Sequence, residues 1–343
     1  MSPPGERPLL RVRNLSKHFA TRPAGWLRRS SDVVRAVDNV SFDLRRGETL
    51  GLVGESGSGK TTCARVLLRG LAPTAGEVWF ESRRGPVDLA ALSERELKPL
   101  RQEMQMIFQD PFSSLNPRMT VGELVAEPLR IHGLASGSTL DDWVADMLRK
   151  VGLAPEHRGR YPHAFSGGQR QRIGIARALI MRPSLVVADE AVSALDVSVQ
   201  AQMLNLLRDL QAEFGLTYLF VAHHLGVVRH LCDRVAVMYA GRIVELADTE
   251  TLFTYPRHPY TRQLLAAEPD PDPDIPLRVE DAGELPDPAR LPEGCAFHPR
   301  CPWRVGACLR SRPELLPVPG TRSQVACPRT EAASNGPPPP GGL

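Results

Sequence analysis

The stretch Thr49-Leu50-Gly51-Leu52-Val53-Gly54-Glu55-Ser56-Gly57-Ser58-Gly59-Lys60-Thr61-Thr62 decides the fold. An apolar strand runs into a glycine-rich loop, and the loop runs into a helix pattern over 61–70 that stops at Gly70, with Pro73 close behind. Gly54 to Thr61 fits G-x-x-x-x-G-K-[ST] in the strand–loop–helix setting that gives the pattern its meaning. The glycines let the backbone curl until its N–H groups, from Gly54 to Thr62, face one point, and the helix start adds a positive dipole end there. That point suits a phosphate chain. Lys60 reaches the β- and γ-phosphates, and the Thr61 hydroxyl suits Mg2+.

Working outward, strands are expected at 9–15, 33–44, 76–81, 104–109, 185–188 and 218–222, and a hairpin at 234–239 and 242–246 turned by Ala240-Gly241. A helix is expected at 199–214, and a mostly helical region at 121–180 broken by Pro128, Gly133 and Pro162. Strands alternating with helices predict an α/β fold with a mostly parallel sheet. The basic stretch 21–32 reads as a loop, the Pro/Asp-rich run 268–276 as a linker, and the low-complexity end 331–343 as a disordered tail.

Composition narrows the function. With 343 residues, 42% hydrophobic and 24% charged, the chain is globular and longer than one ordinary domain. A net charge of +3 gives no field for nucleic acid, so none is expected as a partner. No window of 18 apolar residues occurs, and the opening MSPPGERPLLRVRN lacks the apolar core of a signal peptide, so a cytoplasmic chain is expected. Six cysteines there read as thiols or ligands rather than disulfides. Only four residues are lysines, Lys60 among them.

The run Leu185-Val186-Val187-Ala188-Asp189-Glu190 is a buried strand ending in two acids. Acids at a dry strand end are costly unless something cationic meets them, and Mg2+ on phosphate does so. Position assigns Asp189 to Mg2+ and Glu190 to the attacking water. Further on, Ser166-Gly167-Gly168-Gln169 starts an amphipathic helix with Ile173, Ala176 and Ile180 on one face, and so forms a second anion-ready N-terminus. One phosphate chain does not need two from one subunit. The second one fits the nucleotide of a partner.

Together these runs resemble the ABC ATPase family over about 9–255. Gly54–Thr61 is similar to its Walker A loop, Leu185–Glu190 to its Walker B strand and catalytic Glu, and Ser166–Gln169 to its signature. Ser193-Ala194-Leu195-Asp196 is similar to the D-loop, Gln109 to the Q-loop glutamine, His223 to the switch histidine and Phe19 to the aromatic that stacks on adenine. The resemblance implies ATP and Mg2+ as cofactors, with Thr61, Gln109 and Asp189 on the metal, Glu190, His223 and Gln109 as catalytic residues, and Ser166 to Gln169 and Asp196 acting across a head-to-tail dimer. It implies a parallel core sheet, an antiparallel β subdomain and a helical subdomain near 110–180, within an ATPase domain spanning 8–255. Phe165 stands where Leu is usual, Ala191 where Pro is common, and Ala222 and His224 where Ser/Thr and Asp are usual, which makes His224 a second candidate for the switch.

The runs 109–129, 189–202 and 258–265 (HPYTRQLL), with GCAFHPRCPW near the end, resemble the oligopeptide/dipeptide (and nickel) importer subfamily, whose C-terminal extension would span 256–330. That implies an ATPase subunit at the cytoplasmic face of the cell membrane, working with a second ATPase subunit, a copy of this chain or, as is often so in the subfamily, a non-identical homologue, with two membrane permeases and an external solute-binding protein. The segment 112–125 would face a permease. The alternative is a soluble ABC ATPase in DNA repair or iron–sulfur cluster assembly. Cys295, Cys301, Cys308 and Cys327 are spaced C-x5-C-x6-C-x18-C. A [4Fe–4S] cluster, as some members carry, Zn2+ with His298 as a substitute ligand, and free thiols all remain open. Cys63 and Cys232 read as packing residues.

Overall fold

The computed structural model describes residues 7–20, 33–110, 114–193, 195–268 and 286–329. The loop expected at 21–32, residues 112–113, Ala194, all but the first residue of the 268–276 run and the tail at 331–343 lie outside these.

Two sheets carry the chain. The first is antiparallel, in the order β2-β1-β4-β5, from β1 (Leu10–Ala20), β2 (Val33–Leu44), β4 (Ala75–Ser82) and β5 (Gly85–Asp88). The second has eight strands in the order β11-β12-β10-β9-β3-β8-β7-β6. Its members β3 (Thr49–Val53), β6 (Met104–Ile107), β7 (Leu185–Asp189), β8 (Thr217–Ala222) and β9 (Arg234–Tyr239) pair in parallel, as expected for strands joined through helices. Then β10 (Arg242–Asp248) turns back on β9, with Ala240 and Gly241 both at positive φ, 47° and 82°, the geometry of a tight hairpin turn. The extension supplies β11 (Leu316–Pro317) and β12 (Gln324–Val325), which lengthen the same sheet beyond β10.

Side-chain alternation divides the core in two. From β7, Leu185 and Val187 join α1 (Lys60–Leu67) and the antiparallel sheet, while Val186 and Ala188 join the helices on the other face. From β8, Leu219 and Val221 go one way and Tyr218 and Phe220 the other. Buried on both faces, these strands read as unbroken apolar runs.

The helical side holds α3 (Val121–Ile131), α4 (Gly137–Lys150), α5 (Gly167–Leu179), α6 (Val197–Phe214) and α7 (Leu225–Leu231), followed by α8 (Thr249–Thr254), α9 (Pro259–Ala266) and α10 (Gly306–Arg310). One expectation is corrected. Pro128 does not break the helical region but sits inside α3, whose buried Val121, Leu124, Val125 and Leu129 outweigh one lost backbone donor. The stretch after Ser82 is also structured. It forms β5 and then α2 (Glu94–Leu100), opened by a capping box between Ser93 and Glu96. Gly133 and Pro162 do mark helix boundaries.

Candidate active site

The phosphate loop is shaped by what lies beneath it. Gly54 has φ +150°, and a Cβ there would lie 2.1 Å from the Met238 carbonyl; at Gly59, φ +105°, it would lie 2.0 Å from that of Ala36. Only glycine fits either place. The hairpin turn supports the loop from the side, since Gly241 N–H donates to the Ser58 carbonyl at 2.9 Å and the Gly241 carbonyl accepts from Asp38 N–H at 2.8 Å. Ser56 and Gly57 stand exposed at the tip, Ser58 is buried, and Thr61 and Thr62 are half-buried on α1.

Lys60 is buried, and its ammonium donates to the Gly54 and Glu55 carbonyls at 2.8 and 2.9 Å. Burial lowers its pKa, and the nearby Glu190, Asp189 and Glu55 carboxylates oppose that shift. Thr61 Oγ1 donates to Asp189 Oδ1 at 3.1 Å. Asp189 is itself buried, so desolvation raises its pKa against that hydrogen bond. A hydroxyl and a dry carboxylate side by side are the donor set Mg2+ takes, and the cation would relieve the desolvation.

Past Asp189 the chain turns sharply. Glu190 has φ +48°, and its N–H is fixed on the Val221 carbonyl at 2.9 Å. Its Oε2 accepts from Gln109 Nε2 at 2.7 Å and lies 3.2 Å from His223 Nδ1. The structure therefore joins Gln109 after β6, Glu190 after β7 and His223 after β8 at the carboxyl ends of adjacent parallel strands, where ligands of open α/β sheets bind. His224 turns to Glu268, Nδ1 to Oε1 at 3.2 Å, so His223 is the histidine that faces the Glu190 carboxylate.

At the signature, Ser166 Oγ accepts from Gln169 N–H at 3.3 Å and Gln169 Oε1 accepts from Ser166 N–H at 3.0 Å, a reciprocal cap on α5. Gly167 borders open space, and Gly168 packs so close to Val199 of α6 that a Cβ would lie 2.7 Å from it. Asp196 caps α6 through Val199 N–H at 2.9 Å and the Ser198 hydroxyl at 2.9 Å, which together hold its pKa down. Ser166, Gln169 and Asp196 are thus exposed where α5 and α6 meet through Gly168 and Val199. Phe19, on β1, has an exposed ring with the Lys17 ammonium 5.0 Å from its centroid.

Residues that sequence reasoning missed come from the extension. Tyr260 of the HPY run accepts from Glu55 N–H at 2.8 Å, and Arg300 donates to both Glu55 carboxylate oxygens at 2.9 Å. Glu268 accepts from the N–H groups of Leu225 and Gly226 at 3.2 and 3.1 Å, just beyond His223. The HPY run itself was the available signal: His258 caps α9 by accepting from Tyr260 N–H, and that cap sets where the ring of Tyr260 lies.

Cys295, Cys301, Cys308 and Cys327 line one cavity of about 30 Å3 with Phe297, His298 and Trp303. Burial raises the pKa of Cys301 to about 11 and raises those of Cys295 and Cys327, with the neighbouring thiols adding to each shift. Among the described residues no group of three or more His, Cys, Asp or Glu side chains is drawn together tightly enough to hold a metal ion. Cys63 and Cys232 are buried packing residues, as expected.

Fold and site together define a P-loop ATPase of the ATP-binding cassette class. The ABC transporter family model matches residues 37–193, and the oligopeptide/dipeptide transporter C-terminal region matches 244–308. The chain is 53% identical over 320 residues to the probable peptide ABC transporter ATP-binding protein y4tS of Sinorhizobium fredii, covering 93% of this chain and 89% of that one. It is 48% identical to the oligopeptide transport ATP-binding protein AppF of Bacillus subtilis, covering 92% and 95%. Among solved structures, the dimeric ATP-binding cassette MJ0796 in a post-hydrolysis state bound to ADP and Pi matches with a TM-score of 0.61 at 28% identity, covering 70% of this chain and 98% of that one. This chain belongs to the ABC transporter family as an ATP-binding, ATP-hydrolysing subunit. The alternative of a soluble ATPase in DNA repair or cluster assembly is set aside, because the similarity continues through the transporter-type C-terminal region. Among the described residues no helix is long and apolar enough to cross a membrane.

Proposed function

We propose that this subunit energises the import of oligopeptides or dipeptides. The observation that carries the proposal is the C-terminal region, which matches the oligopeptide/dipeptide transporter type over 244–308 and contacts the phosphate loop through Tyr260 and Arg300. The subunit pairs with a second, homologous ATPase chain on the cytoplasmic face of the membrane. Together they drive two permease subunits that receive solute from an external binding protein.

The residue roles follow from the geometry. Backbone N–H groups of the Gly54–Thr62 loop and Lys60 hold the phosphates of ATP, and Phe19 stacks on the adenine. Thr61, Asp189 and the Gln109 side-chain oxygen hold Mg2+, which when bound neutralises phosphate charge. Glu190 takes the proton of the attacking water, while His223 and Gln109 orient its carboxylate. Ser166, Gly167, Gly168, Gln169 and Asp196 form the corner that completes the partner's site, and the open space at Gly167 leaves room for a γ-phosphate.

The four cysteines would hold a metal group, a [4Fe–4S] cluster in the reading the family resemblance implies, only by drawing closer together than they stand here. Support comes from their shared cavity and from His298 Nδ1, which is buried with no hydrogen-bond partner among the described residues. The small cavity and that imidazole favour Zn2+ as the second reading. A colourless, iron-free anaerobic preparation would remove the cluster. For the transport role, cells lacking this gene are tested for uptake of labelled di- and oligopeptides. Loss of uptake, restored by the wild-type gene and not by Glu190→Gln, is the expected result; unchanged uptake contradicts it.

A further inference from the structure

We infer that Arg300 is a positioning residue for ATP binding, through which the cysteine-bearing extension sets the charge and shape of the phosphate loop. Arg300 lies between Cys295 and Cys301 in a run of tight turns, with Arg300 N–H on the Phe297 carbonyl and Cys301 N–H on that of His298. Its side chain is 5% exposed and grips Glu55 with two parallel hydrogen bonds of 2.9 Å. Those bonds raise the Arg300 pKa further. The guanidinium is 5.7 Å from the ring centroids of both Tyr239 and Phe297, and Tyr239 packs 4.5 Å from Tyr260, whose hydroxyl holds Glu55 N–H. The first residue after Gly54 is therefore held at both its backbone and its side chain by residues of the extension.

The chemical consequence is electrostatic. The Lys60 ammonium donates to the Glu55 carbonyl at 2.9 Å, so the Glu55 carboxylate belongs to the loop that holds the phosphates and its charge would oppose theirs. A bidentate guanidinium among aromatic rings cancels that charge, and a lysine could not match its fork. If Arg300 is removed alone, a partly buried carboxylate is left unpaired beside the phosphate loop. Removing both partners leaves neither the charge nor the unpaired group. A residue that only held the extension in place would lower stability without separating ATP affinity from kcat.

The test measures Mg-ATP affinity and kcat in the full chain for the wild type, Arg300→Met, Glu55→Gln and the double variant. Arg300→Met is expected to weaken ATP binding roughly tenfold while kcat at saturating ATP falls far less, and the double variant should recover most of the lost affinity. Arg300→Lys takes the place of Arg300→Met in the cycle if the latter does not fold, and should fall between it and the wild type. Wild-type affinity in Arg300→Met, or a double variant that binds no better than that single one, overturns the inference.

Discussion

Gln109 donates through Nε2 to Oε2 of Glu190 at 2.7 Å, joining the end of β6 to the end of β7 across the floor of the site. His223 approaches the same oxygen at 3.2 Å. Two side chains thus aim one carboxylate, which is what a general base needs before substrate arrives.

Glu190→Gln keeps the shape of that group and loses its basicity. Turnover should fall by about 100-fold or more, while Mg-ATP still binds. Phosphate release and equilibrium nucleotide binding, measured on one preparation, separate the two effects. Equal loss of binding would remove Glu190 from the role of base.

The two adjacent histidines should behave differently. His223→Ala is expected to lower turnover by roughly tenfold or more, because it strips one of the groups that orient Glu190. His224 is engaged with Glu268 and points elsewhere, so His224→Ala should change turnover by less than about threefold. Steady-state ATPase rates decide this, and a larger effect at His224 would reverse the assignment.

How much of this was legible depended on sequence distance. The phosphate loop, the strand ending at Asp189-Glu190 and the Ser166 cap are each written in a few consecutive residues, because strand alternation, glycine turns and helix caps are local physics. The hairpin at Ala240-Gly241 was readable for the same reason. The box Ser93-x-x-Glu96 was equally local and was missed, because no strong apolar run follows it. Arg300 on Glu55 joins residues 245 positions apart, and Glu268 reaches His224 across 44. Neither leaves any periodic trace. The extension looked like an appendage because its cysteines dominate its composition, whereas its attachment depends on single contacts such as Arg312 to Asp38 at 3.0 Å.

The turn at Gly241 should govern both stability and binding. At φ +82°, a Cβ would lie 2.7 Å from the Arg35 carbonyl, in the turn that holds Ser58. Gly241→Ala is expected to cost about 1 to 3 kcal/mol in urea unfolding and to weaken ATP binding as well. An alanine variant with unchanged binding would show that the hairpin does not support the loop.

His258 is buried, and burial drives its pKa from 6.5 down to about 3. Above pH 6.5 the folded and unfolded chains both hold it neutral, so its contribution is constant there. As pH falls from 6.5 toward 3, only the unfolded chain takes up the proton, and stability drops by up to about 1.4 kcal/mol per pH unit. His258→Asn keeps an acceptor for Tyr260 N–H and removes the titration. Its unfolding free energy should depend less on pH between about 7.5 and about 5 than that of the wild type, by about 1 to 2 kcal/mol. Identical pH dependence in the two proteins would place the acid sensitivity elsewhere.

The central measurement is peptide uptake into vesicles that contain the complete transporter, with ATP supplied on the side of this subunit. Labelled peptide should accumulate only with hydrolysable ATP, and vesicles carrying Glu190→Gln in this chain should bind nucleotide and lose most of that uptake. Full uptake with the variant, or peptide entry at the same rate without ATP, would contradict an ATP-hydrolysing engine centred on Glu190.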